Sequence, residues 1–227
     1  MNNRKMLVWD LPTRAFHWML AVSFLGAFVT SESDRLLDLH LAFGYTMLGL
    51  VAFRLVWGLV GTRYARFGSF AYSPRRVLAY LKSILVRKPQ HHVGHNPAGG
   101  WAVYALLALS LAAGASGYAT YNDLGGGWME DLHEGAANAL MALVIVHIAG
   151  VIVSSLVHRE NLVRAMVSGT KRGEPQDGIR RTHRFIAAAL VAAVLAFWLN
   201  GADVVPAPGK SDQVASGGHR DGGKRRE

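Results

Sequence analysis

Five long apolar runs are spaced along the chain, at residues 15–30, 41–60, 101–118, 135–157 and 185–199. None contains proline, so each can form an uninterrupted helix. About 20 apolar residues are needed to cross a hydrocarbon core as a helix. The middle three approach or meet that length, whereas the first and fifth need flanking residues. Gly26, Gly44, Gly49, Gly114, Gly117 and Gly150 lie inside the runs, where small residues permit close helix approach or leave room for a flat ligand. The pattern predicts an all-α integral membrane protein: a four-helix transmembrane bundle with a fifth C-terminal transmembrane helix. Arg4 and Lys5 before the first run imitate a signal peptide. Asp10, Arg14 and His17 interrupt that pattern, so the run reads as a retained span.

Composition agrees with a membrane protein. Of 227 residues, 51% are hydrophobic and only 17% charged, against roughly 25% charged in soluble domains. The net charge of +9 raises the question of nucleic acid. Its distribution answers that question, because the bases gather in loops beside spans and no recognition motif accompanies them. Residues 61–100 carry Arg63, Arg66, Arg75, Arg76, Lys82, Arg87 and Lys88 with no acid. Residues 158–184 add seven more bases, while the 31–39 and 119–132 loops are acidic. By the positive-inside rule the N-terminus is cytoplasmic and the acidic loops face out, as in a multi-pass protein of a bacterial inner membrane. Between the second and third runs, Ser73-Pro74 opens an amphipathic segment to Leu85, expected to lie on the inner leaflet. The 201–227 tail is Gly-, Pro-, Ser- and charge-rich and is expected to be disordered.

Ionisable residues within spans are functional candidates. His133 and His147 are 14 residues apart, roughly 21 Å along a helix and nearly on one face. Alternating helix direction puts His17 at the depth of His147 and His40 at the depth of His133. Two facing imidazole pairs can each supply the axial ligands of a six-coordinate haem. The chain has no cysteine, so such a haem is b-type and held without a covalent bond. Zinc is a poorer match, since neither level offers a third or fourth ligand. Arg54, 14 residues after His40, lies near the inner level. It could meet a haem propionate, or snorkel to the surface.

The stretches Val8-Trp9-Asp10-Leu11-Pro12-Thr13-Arg14-Ala15-Phe16-His17-Trp18, Leu39-His40-Leu41-Ala42-Phe43-Gly44-Tyr45 and Phe53-Arg54-Leu55-Val56-Trp57-Gly58, with the His133–His147 spacing, resemble the prokaryotic cytochrome b561 family. That family is related to the b-type cytochrome subunits of nickel–iron hydrogenases and formate dehydrogenases. The resemblance covers about residues 6–170. It implies two haems b with His17, His40, His133 and His147 as axial ligands, and electron exchange with membrane quinone or quinol. It also makes Asn96 and Gly99 quinone-site candidates, although Asn96-Pro97-Ala98-Gly99 equally reads as a helix-capping turn.

The implied organisation is a dihaem transmembrane domain over 1–170, a linker and fifth helix over 171–200, and the tail. The implied activity is transmembrane electron transfer between quinone or quinol and a partner. That partner is a periplasmic c-type cytochrome docking on the acidic loops, or a dehydrogenase or hydrogenase subunit. A haem-free transporter or metal-handling protein using the same histidines is the alternative. His91, His92 and His95 read as solvated loop residues, and His158 as a substitute ligand should His147 fail.

Overall fold

The computed structural model describes residues 4–86 and 90–200. The expected disordered tail lies outside the described residues. Among the described residues the regular structure is helical apart from one short antiparallel strand pair, β1 (Lys5–Leu7) with β2 (Thr170–Arg172), in register Met6 to Lys171. Helix α1 spans Leu11–Thr30, α2 Leu37–Val60, α3 Pro74–Leu85, α4 Pro97–Tyr121, α5 Trp128–His158, α6 Leu162–Ser168 and α7 Arg184–Asn200.

Polar capping extends the helices beyond their apolar runs. Asp10 caps α1, its Oδ1 accepting from Thr13 N at 2.8 Å, with Pro12 in the first turn. Asn96 caps α4 in the same way, its Oδ1 accepting from Gly99 N at 2.7 Å. Helix α5 begins seven residues before its apolar run, with Glu130 and Asp131 in a first turn where the helix dipole favours negative charge.

By length and composition, the segments Asp34–Val60, Pro97–Tyr121 and Trp128–His158 can cross a membrane. Helix α1 has a spanning length of 20 residues, but Arg14, His17 and Ser23 lower its hydropathy. Large apolar side chains stand open on the helix exteriors, Leu59 at 72% and Leu156 at 74% exposure among them. In water such patches would be a liability, and in lipid they are ordinary solvation. The chain is a membrane protein.

Helices α1, α2, α4 and α5 pack side by side in that order. Phe16, Leu50, Val51 and Leu107 form the core that joins α1, α2 and α4, with Leu190 and Val194 of α7 against it. Helix α7 lies along α1 and touches α2. At its start Leu11 N donates to Thr182 O at 3.0 Å, and His183 meets Trp57 edge-on at 5.2 Å. At its end Trp198 packs on Phe43 and donates to Thr46 Oγ1 at 3.0 Å. The fifth helix therefore runs from the end of the fold holding the α1 N-terminus to within a few residues of His40. Helix α3 turns Tyr80 inward and leaves Leu78, Leu81 and Leu85 exposed beside Arg75 and Lys82.

The strand pair belongs to a small cap over the N-terminal end of the helices. Met6, Val8, Trp9, Tyr64 and Ala165 bury one another there. Gly169, at φ +80, ends α6 and lets its carbonyl accept from both Val8 N and Trp9 N. A side chain at this position would collide with Trp9 O at 2.7 Å. Lys171 is buried under the cap, paired with Glu160 at 3.0 Å and donating to Val93 O at 3.2 Å.

Candidate functional site

The histidines of α1, α2 and α5 occupy two levels. At the level farther from the N-terminus, the rings of His40 and His133 lie 6.0 Å apart between centroids, nearly perpendicular. Two imidazoles bonded to one metal at about 2 Å each would place their ring centres roughly 6 Å apart. His40 Nδ1 lies 2.9 Å from Ala27 O, and His133 Nδ1 lies 2.8 Å from Ala113 O. A carbonyl only accepts, so both Nδ1 atoms carry the proton and both Nε2 lone pairs are left for a metal. Fixing the tautomer through the distal nitrogen is how proteins orient metal-binding histidines.

A cavity of about 190 Å³ adjoins the pair, lined among others by Gly44, Leu48, Gly114, Gly117 and Thr120. The lining is almost entirely apolar, yet the Thr120 hydroxyl is buried there without a partner. The glycines keep this space open. A Cβ at Gly114 would strike Leu48 at 2.4 Å, and one at Gly117 would meet the His133 ring at 2.8 Å. We expect Gly117→Ala to displace the His133 ring and break its bond to Ala113. Affinity at this pair should fall about 10- to 100-fold, the usual cost of disturbing a ligand's support. A titration of apoprotein with haemin checks it, and unchanged affinity would mean the ring yields freely.

At the N-terminal level, His17 of α1 and His147 of α5 are close enough to interact electrostatically. His17 Nδ1 is buried without a hydrogen-bond partner, unlike its counterparts at the far level. Among the described residues, no group of three or more His, Asp or Glu is placed to hold a metal ion. Each imidazole pair offers two donors, and an octahedral metal there would need four more, a number that the macrocycle of a haem supplies.

Arg54 is 3% exposed and does not snorkel. Its Nη2 donates to Ala65 O at 2.9 Å, its guanidinium lies 4.8 Å from the Phe67 ring centre, and its Nη1 is buried with no partner. The sequence offered no carboxylate within the spans at that depth, but the fold supplies one from the cap of α1. Asp10, 1% exposed, faces Arg54 electrostatically. Its oxygens accept from Thr13 N, from Trp57 Nε1 at 3.2 and 3.3 Å, and from Thr62 Oγ1 at 2.5 Å.

The loop before α4 departs from its reading as solvated chain. His95 packs between Trp9 and Phe70, with ring centroids 4.7 and 4.5 Å away, and its Nδ1 is buried without a partner. Burial, followed by the positive field of Arg54 and the neighbouring basic groups, pushes its pKa down to about 3. The ring is therefore neutral at physiological pH. Asn96 spends its Oδ1 on the α4 cap, and its Nδ2 lies 3.5 Å from Ser154 Oγ. Gly99 supplies the amide that Asn96 caps. His91 and His92 stay near the surface, where His91 meets His158 at 5.9 Å and His92 packs on Tyr80. His158 is 3.4 Å from the Tyr80 hydroxyl, at the end of α5. Sequence reasoning missed His95 and the role of Asp10. The nearest signal for both was their place beside Pro97 and Pro12, where capping residues anchor helix starts.

The family model of prokaryotic cytochrome b561 matches residues 8–169. The chain is also similar to three curated proteins, each described as "Probable Ni/Fe-hydrogenase B-type cytochrome subunit". That of Rhizobium leguminosarum bv. viciae is 25% identical, the match covering 75% of this chain and 90% of the relative. That of Bradyrhizobium diazoefficiens is 24% identical, covering 73% and 85%. That of Azotobacter vinelandii is 24% identical, covering 71% and 86%. No solved structure gives a significant match.

Proposed function

Because the chain belongs to the prokaryotic cytochrome b561 family, whose members are electron-transfer membrane proteins, we propose that it is a dihaem b-type cytochrome carrying electrons across a bacterial inner membrane. The observation that carries this reading is the far-level pair, with two facing imidazoles whose Nδ1 atoms are tied to carbonyls. His40 and His133 hold one haem and His17 and His147 the other. When bound, each haem supplies one-electron cycling of its iron. The chain supplies axial nitrogens, an apolar surround that keeps water out, and Arg54 as a buried positive charge at the N-terminal level.

Electrons pass between membrane quinone or quinol, near the N-terminal level, and a redox partner on the opposite side. Asn96 and Gly99 shape the quinone site through the α4 cap. The partner is a hydrogenase subunit, in line with the names of the relatives, or a periplasmic c-type cytochrome. Glu32, Asp34, Asp38, Asp123, Glu130 and Asp131 crowd the loops above the far-level pair and suit a basic docking face. The proposal is tested in vesicles holding the purified protein, where a short-chain quinol should reduce both haems. Ascorbate-level reduction without any response to quinol would remove quinone from the account.

Orientation follows from the loop charges, with the N-terminus cytoplasmic and α7 as a fifth crossing. At about 1.5 Å per residue its 17 residues span roughly 26 Å, and Trp198 reaches the level of Thr46. Reporter fusions after Glu227 and within 75–86 should report opposite sides of the membrane. If both report the cytoplasm, α7 does not cross and the architecture has four spans.

The haem-free transporter reading accounts less well for the paired tautomers. A polar transport path has no need for both Nδ1 atoms to be anchored to carbonyls.

A further inference from the structure

Besides Arg14 Nε, three side-chain nitrogens toward the N-terminal level are buried and bond to nothing: His17 Nδ1, Arg54 Nη1 and His95 Nδ1. An unsatisfied buried polar group is costly, and more so when charged. Three in one neighbourhood mark a place where an acceptor belongs. His95 lies within electrostatic reach of Arg54, His147, Lys171 and His17, all of them bases. Asp10 accepts from Thr13, Trp57 and Thr62, and Glu160 pairs through Oε2 with Lys171, its Oε1 being buried without a partner. The neighbourhood thus combines unpartnered nitrogens with the positive charge of Arg54, which favours an anion over a neutral carbonyl.

The donors are also held in place. The His95 ring sits between Trp9 and Phe70, its carbonyl accepts from the Tyr72 hydroxyl at 3.1 Å, and the next residue caps α4. Arg54 is fixed through Ala65 O and the Phe67 ring. Such pre-organisation belongs to a binding site, since a side chain without a task could rotate toward water.

We propose that His95 and Arg54 form a carboxylate clamp for the haem held by His17 and His147, with His95 Nδ1–H and Arg54 Nη1–H donating to propionate oxygens. The inference rests on the haem reading above and adds a cofactor-binding residue to it, His95, which lies outside the ligand helices. Donation to a propionate draws negative charge away from the iron and favours the ferrous state. Losing the donors therefore lowers the midpoint potential of that haem alone.

The test uses the full-length, haem-loaded protein in detergent and reads the propionate-bending band by resonance Raman together with the midpoint potentials. The haem concerned is identified as the component missing from His17→Ala. His95→Phe keeps the aromatic packing and removes the nitrogen, while His95→Asn restores a donor close to the Nδ1 position. The band should shift and the potential of that component should fall in His95→Phe and in Arg54→Leu, and both should recover in His95→Asn. The other haem should be unmoved. Loss of haem from His95→Phe with retention in His95→Asn would also support the clamp.

Equal loss in both variants would assign His95 a packing role and overturn it. So would an unmoved band and potential in His95→Phe, including the case in which only the KM for quinol rises. A wild-type protein without any haem band would instead defeat the underlying cytochrome reading, a separate and recognisable outcome.

Discussion

Replacing His133 with alanine is expected to remove one of two haems and leave the other spectrally intact. His133 and His40 face each other at one level, and the loss of either imidazole leaves the opposite ligand unopposed. His40→Ala should damage the same spectral component, and His17→Ala and His147→Ala the other. Haem content should fall by up to half in each single variant, as read by haem-to-protein ratio and low-temperature difference spectra. The double variant His40→Ala/His133→Ala should lose little beyond the worse single, because both changes act on one cofactor. A grouping of His17 with His133 would break the level assignment, and with it the alternation of helix direction from which that assignment comes.

A second large effect is expected at a residue that is not itself a haem ligand. Asp10→Ala should destabilise the fold by about 3–5 kcal/mol, because several buried donors lose their acceptor together, at about 1–3 kcal/mol each. The change strands the Trp57 indole N–H, the Thr62 hydroxyl and the Thr13 amide at once, and it removes the carboxylate facing Arg54. Trp57→Phe, which removes one donor and keeps the ring, should cost only about 1 kcal/mol. Thermal unfolding in detergent, followed by helix signal, separates the two. Similar losses in both variants would mean that Asp10 acts as a simple helix cap.

The apolar helices were legible because lipid leaves few choices to a backbone. An uninterrupted apolar run must close its own hydrogen bonds as a helix, so the centres of α1, α2, α4, α5 and α7 coincide with the five runs. The ends were less legible. Capping by Asp10 and Asn96 and the acidic first turn of α5 lengthen helices through polar residues that a hydropathy reading assigns to loops. The meeting of His40 and His133 followed from depth arithmetic alone, because both lie near the starts of helices, α2 and α5, that run in the same direction.

His95 was beyond that arithmetic. Its burial depends on Trp9 and Phe70, which reach it from distant parts of the chain. A histidine among three in a basic loop gives no local sign of this. The β1–β2 pair was hidden for the same reason, since each strand has three residues and the two are about 165 positions apart in sequence. Such pairing is specified by register and tertiary context, and three residues carry too little periodicity to announce it.

Binding of two non-covalent haems between paired histidines is what the proposed electron transfer stands on. The most direct measurement is the haem-to-protein ratio of the purified full-length protein, by pyridine haemochrome, taken with its reduced-minus-oxidised spectrum. Two haems b per chain are expected, fully extractable into acidified organic solvent, with a reduced α-band of two components. A ratio of one, or a protein without a Soret band, would contradict it.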